Sequence, residues 1–171
     1  MASAAAGAFV LPRCVGGIGC RIRSLACRHV CENWVMAAVV VQSYLARARD
    51  FLKGMEFLQN DLAEYRSSSA LLGIHSAISY SDALRSGMGS ADVSLDDHGN
   101  AAQELKRLLT VRRFDRPQGA DRLSKLLGMK SRVEYSSDTL KETTAKEIIV
   151  QAERFAAWAE EAGTKLQIEG W

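Results

Sequence analysis

The chain has 171 residues, 47% hydrophobic and 25% charged, with a formal net charge of +2. This is the make-up of one globular domain with a well-buried core. So even a balance excludes a whole-protein electrostatic demand for nucleic acid or an anionic membrane surface, and leaves any such case to local patches.

The first 35 residues differ from the rest. They contain Arg13, Arg21, Arg23 and Arg28, no acidic residue before Glu32, and no sustained helical or strand period. They read as a disordered or spurious leader (1–35), with the domain spanning 36–171 and Met36 as the preferred start. An Arg-rich, acid-poor organellar presequence is the second reading. A thiol or metal site at Cys27, His29 and Cys31 is the third, but zinc sites use a wrapping spacing and a second matching pair, which is missing. Cys14 and Cys20 complete the cysteines, and all four fall within the leader. Nothing after it requires an oxidising compartment, so the domain reads as cytoplasmic. No uncharged apolar run approaches the roughly 20 residues of a membrane span. The apolar Ala37 to Val41 is soon followed by Gln42, Arg47 and Arg49.

With only Pro12 and Pro117, and long stretches of Ala, Leu, Glu, Lys and Arg, the expected class is all-α. The spacing predicts an antiparallel bundle of about five helices. From Ala38, the stripe Val41, Leu45, Ala48, Leu52, Met55 and Leu62 has helical spacing, with a break near Gly54 or Asn60. Asn60 or Asp61 is the candidate cap of a second helix that places Tyr65, Ser69, Leu72, Ser76 and Ala83 on one face and ends at Gly87 or Gly89. A short third helix, capped by Asp96 or Asp97, buries Ala101, Ala102, Leu105, Leu108 and Leu109. A fourth, after Pro117, turns Leu123, Leu126, Leu127 and Val133 inward. The fifth has two candidate capping boxes, Thr139 with Glu142 and Thr144 with Glu147. Its inward positions are Ile148, Ala152, Phe155 and Ala159, Gly163 is its stop, and Arg154, Glu160 and Glu161 are left in water.

Several chemistries are absent. A di-iron bundle needs Glu-x-x-His, but Ala26, Leu72 and Leu95 precede His29, His75 and His98 at that spacing. No phosphate-cradling glycine loop and no G-x-S-x-G occurs. Neither metal nor cofactor is assigned. The polar residues of the second helix remain: Ser68, His75, Ser79 and Asp82 share one stripe. The bland reading is a hydrogen-bonded interhelical or dimer-interface network. The chemical reading makes His75, Ser79 and Asp82 catalytic candidates, with His75 as base, Asp82 orienting it, and Arg66 or Arg85 holding a phosphate. Asp96, Asp97 and His98 read first as a cap.

The succession AEYRSSSALLGIHSAISYSDALR, DDHGNAAQELKRLL and LLGMKSRVEYSSDTLKETTAKEIIVQAERFAAWAE resembles the HEPN superfamily of helical-bundle domains in helix order, over roughly 36–162. That resemblance implies a homodimer and either an RNA-cutting toxin or a partner of a nucleotidyltransferase in a toxin–antitoxin pair. The superfamily's ribonuclease signature, an arginine separated from a following histidine by four to six intervening residues, is not matched here. Ala70, Ser69 and Ser68 stand in those positions before His75, and Val93, Asp92 and Ala91 before His98; only Arg23 and His29, both in the leader, fit. Lys130, Arg132 and Tyr135 offer charge and a ring but no base. The expected function is therefore a non-catalytic RNA- or partner-binding module, the alternatives being a ribonuclease built on His75 and Asp82, or a purely structural interaction protein. The best nucleic-acid contact is the basic run Arg107, Arg112, Arg113 and Arg116, flanked by Lys106 and Arg122, with Phe114 its single aromatic residue.

Overall fold

The computed structural model describes residues 25–90, 100–136 and 139–171, with side chains described from Ala37 onward. The described residues form helices α1 (Leu25–Leu58), α2 (Leu62–Gly87), α3 (Ala101–Val111), α4 (Gln118–Tyr135) and α5 (Glu142–Lys165), with a 3-10 turn, Gln59–Asp61, between α1 and α2. No strand occurs among them, and none of these helices is long and apolar enough to cross a membrane.

In α1 the apolar stripe does what its spacing requires: Val41, Leu45, Ala48 and Met55 are all within 1% of full burial. Helical backbone begins at Leu25, upstream of the Ala38 expected from periodicity, and passes through Gly54 without a break. Asn60 ends it, donating from Nδ2 to the carbonyls of Glu56 and Phe57 at 3.2 and 3.0 Å. These are among the carbonyls a helix C-terminus leaves unpaired. The chain turns and enters α2, whose backbone departs from helical geometry at Tyr65 (φ −105°, ψ 29°).

Helix directions follow from which residues meet. Ser69 Oγ donates to Met55 O at 3.2 Å and Ser76 Oγ to Ala48 O at 2.9 Å, so α1 and α2 are antiparallel. Between α2 and α5 the order is reversed: Gly73 lies against Ala152, and Tyr80 bonds Glu160. Those two helices run parallel. The expectation of a wholly antiparallel bundle needs this correction, and α3 is the cause. With 11 residues against 26 in α2, it spans about 16 Å where α2 spans about 39 Å. It occupies one end of the bundle instead of making a full return. The return is made by α4, which starts with Gly119 under Trp158 and reaches His75 with Glu134.

Every residue of α2 from Ser76 to Arg85 is buried, so this helix is enclosed on all sides. Gly73 marks a close approach of three helices. A Cβ there would stand 2.8 Å from Met55 Sδ and 3.0 Å from Ala152 Cβ, so the absent side chain lets α1, α2 and α5 meet. Phe155, Leu105, Leu109, Leu123 and Leu126 fill the rest of the core at full burial. Each such side chain contributes roughly 1.5–3 kcal/mol in removed apolar surface. Leu127 and Val133, expected inward, are only half-buried.

The helix ends differ from expectation. The position before α3 is Asn100, without a side-chain cap, while Asp96, Asp97 and His98 lie outside the described residues. Neither capping box forms: Lys141 stands at the N-cap of α5 with no side-chain bond, and Thr144 is already inside the helix. Gly163 does not stop α5, which continues to Lys165. It is instead a socket, because a Cβ at Gly163 would fall 2.1 Å from the indole of Trp171.

Candidate functional site

The polar stripe of α2 separates into two places. His75 and Asp82 are seven residues apart, about 10.5 Å along the axis, which is beyond direct contact. His75 sits where α2 meets α1 and α4, its side chain 35% exposed. Its Nε2 is 3.6 Å from Glu134 Oε1, and its ring centroid is 5.5 Å from that of Phe51. Lys130 donates to Glu134 Oε2 at 2.6 Å. That hydrogen bond holds the Glu134 carboxyl below the usual range; partial burial opposes it, and the charges of Lys130 and His75 assist. The imidazole expected to be buried is thus partly open and faces a carboxylate the sequence reading did not name.

Asp82 lies deeper. Its Oδ1 accepts from Arg85 Nη1 at 3.2 Å, and both side chains are at least nine-tenths buried. Around this pair, Glu104 of α3 accepts from Arg107 and from Ser90, and Arg85 adds to the field there. The Arg107 hydrogen bonds hold the Glu104 carboxyl low, with burial opposing. A buried ion pair holds geometry at the cost of desolvation, which fits a structural role within α2, with the charge of Arg85 also felt by Glu104 of α3. Ser79, the third catalytic candidate, is buried. Ser81 is fully buried, and its hydroxyl has no hydrogen-bond partner.

The basic run is largely spoken for. Arg107 forks onto Glu104 at 2.8 and 2.9 Å, Arg116 bonds Glu161 at 3.0 Å, and Lys106 bonds Asp121 at 2.9 Å. Arg112 Nη2 donates to Met88 O at 3.3 Å. Phe114 packs edge-on to Trp158, with centroids 6.3 Å apart and planes at 81°, so it is half-buried and does not present a face for base stacking. Exposed pairs of this kind contribute little and can exchange partners.

The densest polar junction is one the sequence reading left in water. Glu160 receives Arg49 Nε and Nη2 at 2.9 and 3.0 Å, the Tyr80 hydroxyl at 2.9 Å, and the Trp171 indole N–H at 3.0 Å. Burial pushes its carboxyl up, but the hydrogen bonds of Arg49, Tyr80 and Trp171 and the charge of Arg49 outweigh it, and the net direction is down. Tyr80, fully buried, is driven the other way by desolvation and by its bond to the carboxylate. Its partners are far away in sequence, Arg49 by 111 residues and Tyr80 by 80, so no local pattern marks Glu160.

Among the described residues no group of three or more His, Cys, Asp or Glu is placed to hold a metal ion. The side chains of Cys27, His29 and Cys31 lie outside those described. Comparison with protein-family models, curated proteins and solved structures finds no match.

Proposed function

We propose that this chain is a HEPN-like helical module, cytoplasmic and homodimeric, whose work is non-catalytic binding of a partner, in the manner of a toxin–antitoxin component. The observation that carries the non-catalytic reading is the separation of His75 from Asp82, each facing its own charged neighbour, Glu134 and Arg85. A base and its orienting carboxylate must lie within hydrogen-bond reach, and these two do not. Packing of Phe114 edge-on to Trp158, which leaves the basic run without a stacking ring, favours a protein partner, such as a nucleotidyltransferase, over RNA. Arg113 and Arg112 remain the residues for RNA contact.

A second reading has its own observation. His75 is partly open to solvent and stands 3.6 Å from Glu134, with Lys130 behind it, so a small approach of the imidazole would make a base, an orienting carboxylate and a cation at one surface. A ribonuclease in this protein would therefore use Glu134 in place of Asp82.

The experiment is RNA incubation with chelator present, comparing the wild type with His75→Ala and Glu134→Gln, alongside RNA retention at graded salt. The proposed function expects uncut RNA in all three. Cleavage by the wild type that both substitutions abolish, with helicity retained, selects the ribonuclease. Salt-sensitive RNA retention lost in Arg112→Ala with Arg113→Ala replaces the protein partner with RNA.

A further inference from the structure

The parallel course of α2 and α5 brings both of their C-terminal ends to one place, where they and the tail 166–171 face the side of α1 near Ala38. A cavity of about 430 Å³ lies between them. That size falls within the range of small-molecule sites. Its walls are Val41 of α1, Met88 just past α2, and Leu166 and Ile168 of the tail, with Arg112 at its edge. Val41, Met88 and Ile168 are buried, so the walls belong to the packed core.

The polar groups around it can be counted. Leu84, Arg85 and Ser86 carbonyls accept from Met88, Ser90 and Gly89, and Ala162, Gly163 and Thr164 carbonyls accept from Leu166, Ile168 and Gln167. The two helix ends are thereby closed on themselves. Arg112 spends one N–H on Met88 O over a long 3.3 Å, and its other guanidinium N–H groups meet no partner among the described residues. Glu169 stands on the rim, exposed to water, where its charge is screened over about 8–10 Å at physiological salt. Ser86 and Gln167 also line the cavity, and Arg112 is exposed at its mouth, its remaining donors open to solvent and to a ligand; its planar fork matches a carboxylate.

We infer that this cavity binds a small carboxylate with an aliphatic body, of the medium-chain fatty acid class, the chain lying against Ala37, Leu166 and the accessible edges of Met88 and Ile168 and the head group on Arg112. The site is independent of the His75 surface and of a protein partner, and it shares Arg112 with the RNA contact tested above.

The test is isothermal titration of the full chain with decanoate, and with decanol as the same body lacking the charge. Saturable decanoate binding is expected, at least about tenfold tighter than decanol, since a hydrogen bond to a charged group is worth that much or more. Arg112→Gln removes the preference for decanoate. Ala37→Trp, at an exposed position on the cavity wall, blocks both ligands without touching the core, with helicity checked by circular dichroism. Equal affinity for the two probes, or binding unchanged in Ala37→Trp, overturns the inference. So does absence of saturable decanoate binding to the wild type.

Discussion

Tyr80 and Glu160 meet across the parallel contact of α2 and α5, the phenol donating to Oε1 at 2.9 Å while Arg49 and Trp171 hold the same carboxylate. One acidic side chain thus ties together α1, α2, α5 and the tail. Tyr80→Phe keeps the ring and loses the bond, and we expect a loss of about 1 kcal/mol by chemical denaturation. Glu160→Gln is expected to cost more, about 1–2 kcal/mol near neutral pH, because a charged acceptor is lost at a half-buried site.

The pH dependence has a definite sign. Glu160 is held below the unfolded carboxyl value of about 4.3, so its contribution is present above that pH and is lost as pH falls through and below it. Melting temperatures of wild type and Glu160→Gln should therefore converge between about pH 5 and pH 3. A constant gap across that window would show that the Arg49 and Trp171 contacts do not depend on the charge.

The buried serines of α2 make a matched pair. Ser76 Oγ reaches Ala48 O on the neighbouring helix at 2.9 Å, whereas Ser81 Oγ, equally buried, has no partner. Ser76→Ala should lose about 1 kcal/mol, and Ser81→Ala should be neutral or stabilising, since it removes an unsatisfied hydroxyl from the interior. Equal losses in urea unfolding would mean that Ser76 acts through packing alone.

These serines also show what a single sequence makes legible. The all-helical class, the α1 stripe and the burial of Leu105, Leu108 and Leu109 in α3 follow from periodicity, because hydrophobic spacing is a local property. One face of α2, with Ser69, Ser76 and Ala83, also follows from spacing, but the partners of its polar groups do not. His75 faces Glu134 from a helix 59 positions downstream, and Glu160 gathers residues from α1, α2 and the tail. Helix direction was misjudged for a related reason. Whether α3 makes a full traverse or stays at one end is decided by its 11-residue length set against the 26 residues of α2, a comparison between helices that the apolar spacing within each one does not make.

Glycines give a test in both directions. Gly128 stands in the middle of α4 with nothing within 4 Å of an added Cβ, so Gly128→Ala should stabilise by about 0.5–1 kcal/mol through helix propensity. Gly163 has the same helical setting, but a Cβ there meets the Trp171 indole at 2.1 Å. Gly163→Ala should displace the tail, release Trp171 from Glu160, and lose about 1–3 kcal/mol despite the better propensity. A red shift of tryptophan emission in Gly163→Ala, absent from Gly128→Ala, would separate tail release from a general loss of structure.

The last prediction concerns the two non-glycine residues with positive φ among the described residues, Arg113 at 54° and Gln167 at 52°. Each follows the C-cap of a helix, α3 or α5, and each donates its backbone N–H back into the last turn, Arg113 to Thr110 and Gln167 to Thr164. This is the position that glycine ordinarily fills, since a Cβ in the left-handed region costs roughly 1 kcal/mol. If strain were the only term, Arg113→Gly and Gln167→Gly would each gain up to about 1 kcal/mol, reduced by the greater freedom of glycine in the unfolded chain. Arg113 is exposed, so its substitution measures that balance directly in thermal unfolding. Gln167 also lines the cavity, and a loss of decanoate binding in Gln167→Gly with stability retained would place its side chain, and not only its backbone, in the ligand's path.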